Sequence, residues 1–321
     1  MYSSQDCIIF NNLSLNLGGI TMILKTKKKI VLLVTLLFGI LLVGCNNTNY
    51  SNSNNIAEVA KLKEALNQSN TIVIDSRSAQ DYAKGHLKGS ISLTADELTI
   101  NEPVNAMLAP KEQIEKVLSA KGISNDSNIF IYDNSGGVYS SRVWWTLKLY
   151  GHENVKVINN GEKAIVENDF ELSLDVPSLP ATNYTAKDVN SLPIATIDDV
   201  KKAIDEETTS IIDVRSRSEY DEGAIPSAIL YPHTKNLYAD GSFKSGRDTY
   251  LNYNDLGLKR DESIILYCKS SFRAAQTALL LEEAGYTDVK VYDGAWLEWS
   301  TKDMPKQEKE KTAPVTSQDA S

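Results

Sequence analysis

Cysteine and histidine are scarce in this sequence of 321 residues, which contains three of each. The cysteines are Cys7, Cys45 and Cys268, and the histidines are His86, His152 and His233. A disulfide framework or a structural metal site needs several such residues at close, regular spacing. Because these six residues are scattered along the chain, the sequence predicts neither kind of site.

Positive charge is also in short supply. Lysine and arginine number 33 against 42 aspartate and glutamate residues, so the formal net charge is −9. Proteins that bind nucleic acids usually carry a basic patch or stripe, and none is visible here. No nucleic-acid partner is therefore expected.

Long apolar runs are missing as well. Residues 30–43 form an apolar run of only 14 residues, whereas a membrane-spanning helix needs about 20. This run follows a basic stretch at 22–29 and precedes Gly44 and Cys45, which is the order of a secretory signal peptide. For the apolar run at residues 30–43, the alternatives to a signal that directs lipid attachment are an ordinary signal peptide and a short core helix.

Residues 42–45 resemble the lipobox of bacterial lipoproteins. That resemblance implies that residues 22–44 are removed, that Cys45 carries lipid, and that the protein is anchored to the cell membrane and faces outside the cytoplasm. Residues 1–21 do not fit a signal peptide, so Met22 is favoured over Met1 as the true start. The polar composition of residues 45–55 predicts a flexible tether, and that of residues 304–321 a disordered tail.

The remaining sequence contains an internal repeat. Residues 73–85 match 211–223 at an offset of 138, and residues 128–133 match 263–268 at an offset of 135. A third match relates 151–157 to 285–291 at an offset of 134. Ordered matches with so little drift indicate a duplicated domain. We place the copies at 56–174 and 194–303, joined by a proline-containing linker at 175–193.

Within each copy, short apolar strands alternate with helical stretches, such as 57–67, 110–121 and 142–150. This pattern predicts an α/β fold with two tandem domains, each a parallel sheet flanked by helices. Ligands of such sheets bind outside the carboxyl ends of the strands. Asp133 in the first copy and Cys268 in the second occupy that edge.

Cys268 follows an apolar strand at 264–267 and precedes a helical stretch at 274–284. Backbone N–H groups in such a loop converge, and the positive end of the helix dipole lies there. The loop therefore favours the thiolate form of Cys268, and Lys269 and Arg273 add positive charge. The alternative is a cysteine that simply fills the end of a core strand.

Residues 267–275 resemble the active-site loop of the rhodanese sulfurtransferases, and residues 213–229 and 289–299 resemble the opening and closing signatures of that family. One difference is Ser271, where such loops usually have glycine. The resemblance implies that Cys268 is the catalytic nucleophile and carries a persulfide. The residues that it implies for substrate binding are Lys269, Ser270, Ser271, Phe272, Arg273 and Arg215.

The two copies differ where the chemistry would occur. The first copy has Asp133 at the nucleophile position, and eight residues separate Asp133 from Arg142, against four between Cys268 and Arg273. We expect the longer loop to splay its amide groups and the first copy to be inactive.

A structural pair with Asp213 is the favoured alternative to substrate binding as the role of Arg215.

Two residues of the first copy are possible contributors to the site. Relatives of the mercaptopyruvate type draw an acid and a histidine from the first domain, and the spacing of Asp75 and His86 resembles that pattern. A solvent-facing histidine in a turn is the alternative for His86. The tryptophans at 144, 145, 296 and 299 are predicted to serve in packing.

The predicted function is transfer of sulfane sulfur from a small anionic donor to a thiol or cyanide acceptor through a Cys268 persulfide, without cofactors. Lys269 and Arg273 favour thiosulfate over 3-mercaptopyruvate as the donor. A phosphatase is the rival enzyme, but its Cys-x5-Arg loop is one residue longer than the Cys-x4-Arg loop here. A persulfide carrier or sensor without turnover is the rival outside catalysis.

Overall fold

The computed structural model describes residues 50–307, which lie within one compact unit of the chain, Asn47–Ser321. The signal peptide expected at 22–44, the lipidation expected at Cys45 and the tail beyond residue 307 lie outside the described residues. Within residues 50–307, no helix combines the length and the apolar character needed to cross a membrane.

The described residues alternate between strands and helices. The strands are β1 Ile56–Ala57, β2 Thr71–Asp75, β3 His86–Leu87, β4 Ile91–Ser92, β5 Thr99–Ile100, β6 Met107–Leu108, β7 Asn128–Tyr132, β8 Val155–Ile158, β9 Leu172–Ser173, β10 Ile194–Ala195, β11 Thr209–Asp213, β12 Ile229–Leu230, β13 Ser263–Tyr267 and β14 Asp288–Tyr292. The helices are α1 Val59–Ala65, α2 Ala79–Lys84, α3 Lys111–Ala120, α4 Val138–Leu149, α5 Gly161–Glu167, α6 Ile197–Glu206, α7 Arg217–Asp221, α8 Gly246–Asn254, α9 Phe272–Glu283 and α10 Ala295–Thr301, with 3₁₀ turns at Ala95–Leu98 and His233–Asn236.

Two five-stranded parallel sheets form the centres of the two copies. The first has the order β1-β8-β7-β2-β4 and the second the matching order β10-β14-β13-β11-β12. The central strands β7 and β13 are buried over four of their five residues, as expected when helices cover both faces. The predicted tandem α/β fold is confirmed.

One hydrophobic core extends across the boundary between the two copies. Helices α4 and α9 pack against each other, and a single cluster of buried side chains includes Trp144 and Trp145 from α4 with Leu279 and Leu280 from α9. The packing role predicted for the tryptophans is thereby confirmed for Trp144, Trp145 and Trp299, all of which are buried.

The ends of the globular region extend beyond the predicted boundaries. Tyr50 is buried and its hydroxyl donates a hydrogen bond to the Lys244 carbonyl, and Asn55 is also buried, so the predicted tether is packed at these two residues. At the other end, Gln307 pairs with Ala224 in an antiparallel bridge, which holds residues 304–307 of the predicted tail. The linker lacks helix and strand, but its Tyr184 is buried against the first copy.

Candidate active site

Cys268 lies immediately after β13, at the carboxyl edge of the second sheet. The backbone N–H of Val214, the residue after β11, donates to the Tyr267 carbonyl, so the ends of these neighbouring strands stay side by side. Three residues then lead to α9, which begins at Phe272. The predicted strand–loop–helix placement of the cysteine is therefore present in the structure.

Cys268 itself is 1 % exposed and belongs to the shared core cluster, whereas Lys269 is exposed and Ser270 half-buried. The interpretation as a core-filling cysteine describes its burial correctly. The polar, partly exposed loop after it is not a continuation of the core. The thiol thus lies just beneath a surface loop.

Ser271 adopts the left-handed backbone conformation, with φ 65° and ψ −14°. Glycine adopts this conformation most easily, which explains why such loops usually have glycine there. The Ser271 hydroxyl donates to the Ser270 carbonyl at 2.6 Å and accepts from Arg142 of the first copy at 2.9 Å. The side chain predicted to bind substrate is therefore turned away and used to hold the loop.

Arg273 forms a bidentate ion pair with Glu219 of α7, at 2.7 Å from Nη1 to Oε2 and 2.8 Å from Nη2 to Oε1. Burial alone would lower the pKa of Arg273, but the bonds to Glu219 and the interaction with Cys268 outweigh burial and raise this pKa. The hydrogen bond from Arg273 in turn lowers the pKa of Glu219 to about 2. Arg273 thus lies beside the thiol with its charge largely neutralised.

Sequence reasoning missed this role of Glu219. Ser216 and Glu219 form a capping box at the start of α7, with the Ser216 N–H donating to Glu219 Oε2 at 3.0 Å. The Ser-x-x-Glu spacing signals only the helix start. Its contact with Arg273 depends on how α7 and α9 lie at the edge of the sheet.

His233 is a second residue near this pair that the sequence did not single out. Its backbone N–H donates to the Val214 carbonyl at 3.0 Å, so it lies on the far side of β11 from Cys268. Burial and the charge of Arg273 lower the pKa of His233. Among the described residues, no hydrogen-bond partner reaches its buried Nδ1 atom.

In the first copy, the carboxylate of Asp133 fills its own loop. One oxygen accepts from the backbone N–H groups of Ser135 and Gly137, and the other from those of Tyr139 and Ser140, all at 2.9 Å. The Ser140 hydroxyl donates a fifth bond at 3.0 Å. The amide groups converge on an anion, so the prediction of a splayed loop is wrong.

The reason lies in the helix register. Gly137 and Ser271 are both left-handed residues directly before their helices, so the first loop is longer by one residue only. When residues are counted from Gly137 in the first copy and from Ser271 in the second, Arg142 corresponds to Gln276. Tyr139 corresponds to Arg273. Comparing Arg142 with Arg273 had equated residues one turn apart.

The register also identifies the matching amides in the second copy. Ser271, Arg273 and Ala274 correspond to the three residues Gly137, Tyr139 and Ser140. Within residues 50–307, the backbone N–H groups of Ser271, Arg273 and Ala274 have no hydrogen-bond acceptor. The donors that hold a carboxylate in the first copy are thus available at the Cys268 loop.

The Arg215 side chain is closed off by its own partners. Its guanidinium binds the Asp213 carboxylate, with Nη2 to Oδ2 at 2.6 Å, and donates to the Gly223 carbonyl at 2.7 Å. The side chain is 2 % exposed and is covered by the Trp296 ring, 4.5 Å away. A donor-binding role for Arg215 does not fit this closed pair, and the structural alternative does.

The first copy repeats that arrangement, which also occupies Asp75. The Asp75 carboxylate is fully buried and bonded by Arg77 and the Tyr132 hydroxyl. His86 is also buried, stacked on Tyr82 at 3.7 Å and bonded through Nε2 to the Asp175 carbonyl at 3.0 Å. Neither residue is free to contribute to Cys268, and the alternative of a solvent-facing His86 is also wrong.

Phe272 turns towards the first copy, where its ring lies 5.4 Å from the Arg142 guanidinium and edge-on to Tyr139. Its side chain packs between the copies. Of the predicted substrate ligands, Lys269, Ser270 and Arg273 therefore remain at the loop surface or beside the thiol. Within residues 50–307, no group of three or more acidic, cysteine or histidine side chains is arranged to hold a metal ion.

Comparison with known proteins follows the same division into two copies. The family model of the rhodanese-like domain matches residues 58–168 and again residues 196–302. The chain belongs to the rhodanese family. Its enzymatic class is that of the sulfurtransferases.

Relatives span both rhodanese-like copies. A candidate thiosulfate sulfurtransferase of Saccharopolyspora erythraea is 33% identical over 237 residues, which cover 68% of this chain and 83% of the relative. The sulfur carrier protein TtuD of Thermus thermophilus is 31% identical over 238 residues, which cover 68% and 83%. The solved structure of the 3-mercaptopyruvate sulfotransferase SseA from Escherichia coli is similar with a TM-score of 0.70 at 26% identity, covering 76% of this rhodanese and 99% of SseA.

Proposed function

We propose that this rhodanese transfers sulfane sulfur from thiosulfate to a thiol or cyanide acceptor through a persulfide on Cys268. The Cys268 thiolate attacks the outer sulfur of thiosulfate, the sulfur–sulfur bond of the donor breaks, and sulfite leaves with the electron pair. The acceptor thiolate, or cyanide, then attacks the terminal persulfide sulfur and releases the Cys268 thiolate.

The observation that carries the proposal is the correspondence between Asp133 and Cys268. The amides of Ser271, Arg273 and Ala274 match those that bind the Asp133 carboxylate in the first copy. An anionic terminal sulfur, or a departing sulfite, would find the same donors at the start of α9, together with the positive end of that helix.

Thiosulfate is favoured over 3-mercaptopyruvate because Lys269 supplies an exposed positive charge next to the nucleophile. Arg273 contributes less to this preference than its formal charge suggests, since Glu219 neutralises it. Relatives described by each donor name are both similar to this chain. The donor preference therefore rests mainly on Lys269.

Access to the thiol requires local movement. Because Cys268 is 1 % exposed, a donor contacts its sulfur only after side chains of the loop shift. Phe272 and Arg273, which follow Cys268 in the chain by four and five residues, are both half-buried. We assign the opening to Phe272, and not to Arg273, which Glu219 holds in place, or to the core strands, which are buried on both faces.

The test is the intact mass of the full chain after incubation with thiosulfate. The expected result is a gain of one sulfur atom that cyanide removes, and no gain in the Cys268→Ser variant. A gain that persists in Cys268→Ser would assign the sulfur to a group other than Cys268. That outcome, or no gain in the wild type, would overturn the proposal.

A persulfide carrier without turnover is the second candidate, and the similarity to the sulfur carrier protein TtuD favours it. The two candidates differ in steady-state thiocyanate production from thiosulfate and cyanide. Repeated turnover supports the enzyme, whereas one equivalent of thiocyanate for each chain supports the carrier.

We further propose that the chain starts at Met22, is lipidated at Cys45, and is anchored to the outer face of the cell membrane. The support is the signal-like order of residues 22–45. Phase separation of cell extracts in detergent tests this: the wild type should enter the detergent phase and Cys45→Ser the aqueous phase. Equal partitioning, or an N-terminal mass that retains residues 1–21, would contradict it.

A further inference from the structure

A buried charged network crosses the boundary between the two copies and ends at the cysteine loop. Arg142 Nη1, from α4 of the first copy, donates to the Ser271 hydroxyl at 2.9 Å and forms an ion pair with Asp293 Oδ1, 2.9 Å away. Its Nη2 donates to the Ala106 carbonyl at 3.1 Å. The backbone N–H of Leu108 donates to the other oxygen of Asp293 at 2.7 Å.

The network is closed to solvent. Arg142 and Ser271 are 0% exposed and Asp293 is 5% exposed. The guanidinium lies 4.6 Å from the Trp145 ring and 5.4 Å from the Phe272 ring. A charge buried this deeply persists only when it is paired, so Arg142 and Asp293 hold each other in place.

The loop is also held from its other side. Directly after Asp293, the backbone N–H groups of Trp296 and Leu297 donate to the carbonyls of Cys268 and Lys269 at 3.0 and 3.1 Å. Asp293 therefore links the segment that binds the cysteine backbone to Arg142. The position of Cys268 depends on both copies.

The same positions of the repeat carry neutral groups at the inactive loop. Gln276 corresponds to Arg142, and its amide donates to the Gly136 carbonyl beside the Asp133 loop. Asn159 corresponds to Asp293 and accepts from the Phe243 N–H at 2.8 Å, as Asp293 accepts from Leu108. The charged version of the network thus faces the loop with the nucleophile.

We propose that Arg142 is a positioning residue for the Cys268 loop, supplied by the copy that lacks a nucleophile. This inference rests on the proposed persulfide chemistry. Ser271 is left-handed, and its conformation sets the direction of the amides of Ser271, Arg273 and Ala274. By fixing the Ser271 hydroxyl, Arg142 keeps these donors directed at the sulfur throughout the reaction.

The test compares Arg142→Gln with Gln276→Met in single-turnover formation of the persulfide from thiosulfate. Arg142→Gln places the neutral counterpart from the repeat at position 142, whereas Gln276→Met removes one contact between the copies at the inactive loop. We expect persulfide formation to slow about 10- to 100-fold in Arg142→Gln, as for a loss of donor alignment. Gln276→Met should keep its rate within about twofold.

A structural role alone would lower the melting temperature of both variants without separating their rates. Thiosulfate KM should stay within about twofold in Arg142→Gln while kcat falls, because the amides act on the developing charge. Arg142→Lys, which keeps the charge but not the fork, should recover part of the rate. If persulfide formation slows equally in Arg142→Gln and Gln276→Met, or keeps the wild-type rate in Arg142→Gln, the inference is overturned.

Ser271→Gly keeps the test valid if Arg142→Gln does not fold, because glycine retains the left-handed turn and removes the side chain that carries the hydroxyl. We expect this variant to fold and to form the persulfide more slowly than the wild type; an unchanged rate would refute the role of the hydroxyl contact. A wild type that forms no persulfide would refute the proposed function itself, which distinguishes the two failures.

Discussion

The Glu219 carboxylate binds both terminal nitrogens of Arg273, at 2.7 and 2.8 Å, and so neutralises the cation beside Cys268. An unpaired arginine at this place would attract any small anion. The pair makes Arg273 a fixed hydrogen-bond donor with little net charge. Lys269 is left as the exposed charge of the loop.

Removal of the Glu219 charge should strengthen donor binding at low salt. In Glu219→Gln, Arg273 keeps its charge without a counterion, so KM for thiosulfate should fall about three- to tenfold in dilute buffer. The gain should disappear in about 1 M salt because the interaction is screened. Steady-state kinetics at two ionic strengths check this, with the exposed Glu222→Gln as control. An unchanged KM, or a fall that survives high salt, would contradict the role assigned to the pair.

Lys269→Gln should raise KM for thiosulfate about threefold at low salt and leave kcat nearly unchanged, because the exposed ammonium attracts the donor without touching the reacting bond. Lys259→Gln is the matched control, since Lys259 is an exposed lysine near the opposite end of β13. Kinetics of the two variants measured side by side decide the matter. Similar KM values in both would mean that charge at the loop plays no part in donor choice.

The repeat offers an internal control for Arg215. Arg215→Lys and Arg77→Lys each lose the fork that binds the buried aspartate, so each should destabilise the fold by about 2 kcal/mol. Neither should alter KM for thiosulfate, since both guanidinium groups are closed off by their carboxylates. Thermal unfolding and kinetics test this together. A rise in KM confined to Arg215→Lys would restore Arg215 as a donor ligand.

His152 should make the fold sensitive to mild acid. Burial lowers its pKa from the ordinary value of 6.5, and its ring nitrogens lie 2.9 Å from the Ser127 carbonyl and 3.2 Å from the Tyr184 hydroxyl. At pH values between the lowered pKa and 6.5, the unfolded chain binds more protons than the folded chain. Stability is therefore complete above pH 6.5 and falls as the pH drops towards the lowered value.

The melting temperature at pH 7.5 and at pH 5.5 measures this effect. Wild-type protein should lose more stability over this interval than His152→Gln, which cannot take up the proton. His233, whose pKa is also lowered by burial, contributes in both proteins and cancels in the comparison. An equal loss in the two proteins would remove His152 as the acid-sensitive group.

Local patterns in the sequence predicted local structure well. The apolar strand before Cys268 and the helix after it are both present, because each rests on burial and hydrogen bonds between residues close in the chain. The serine in place of glycine also keeps the left-handed turn. The assignment of a structural pair to Asp213 and Arg215 was correct for the same reason, since the two are neighbours on one strand end.

Predictions that depended on counting across a loop, or on the neighbours of a residue in the fold, were wrong. Arg142 was compared with Arg273 by its distance from Asp133, although helix α4 begins at Val138 and sets a different register. His86 was expected either at the active site or in solvent, but stacking on Tyr82 buries it in its own copy. Neither the register of α4 nor the stacking of His86 on Tyr82 can be recognised from the spacing of residues in a motif.

The sequence by itself determined that the chain is a duplicated α/β unit with a cysteine at the edge of one sheet, because a repeat offset and the order of strand, loop and helix are properties of neighbouring residues. Only the tertiary structure decided that Asp133 fills its own ring of amides and that Arg142 reaches the loop of the other copy. Those contacts arise where α4 and α9 pack together, and their direction follows from the helix register and the burial of charge at that interface. A linear pattern does not contain that information.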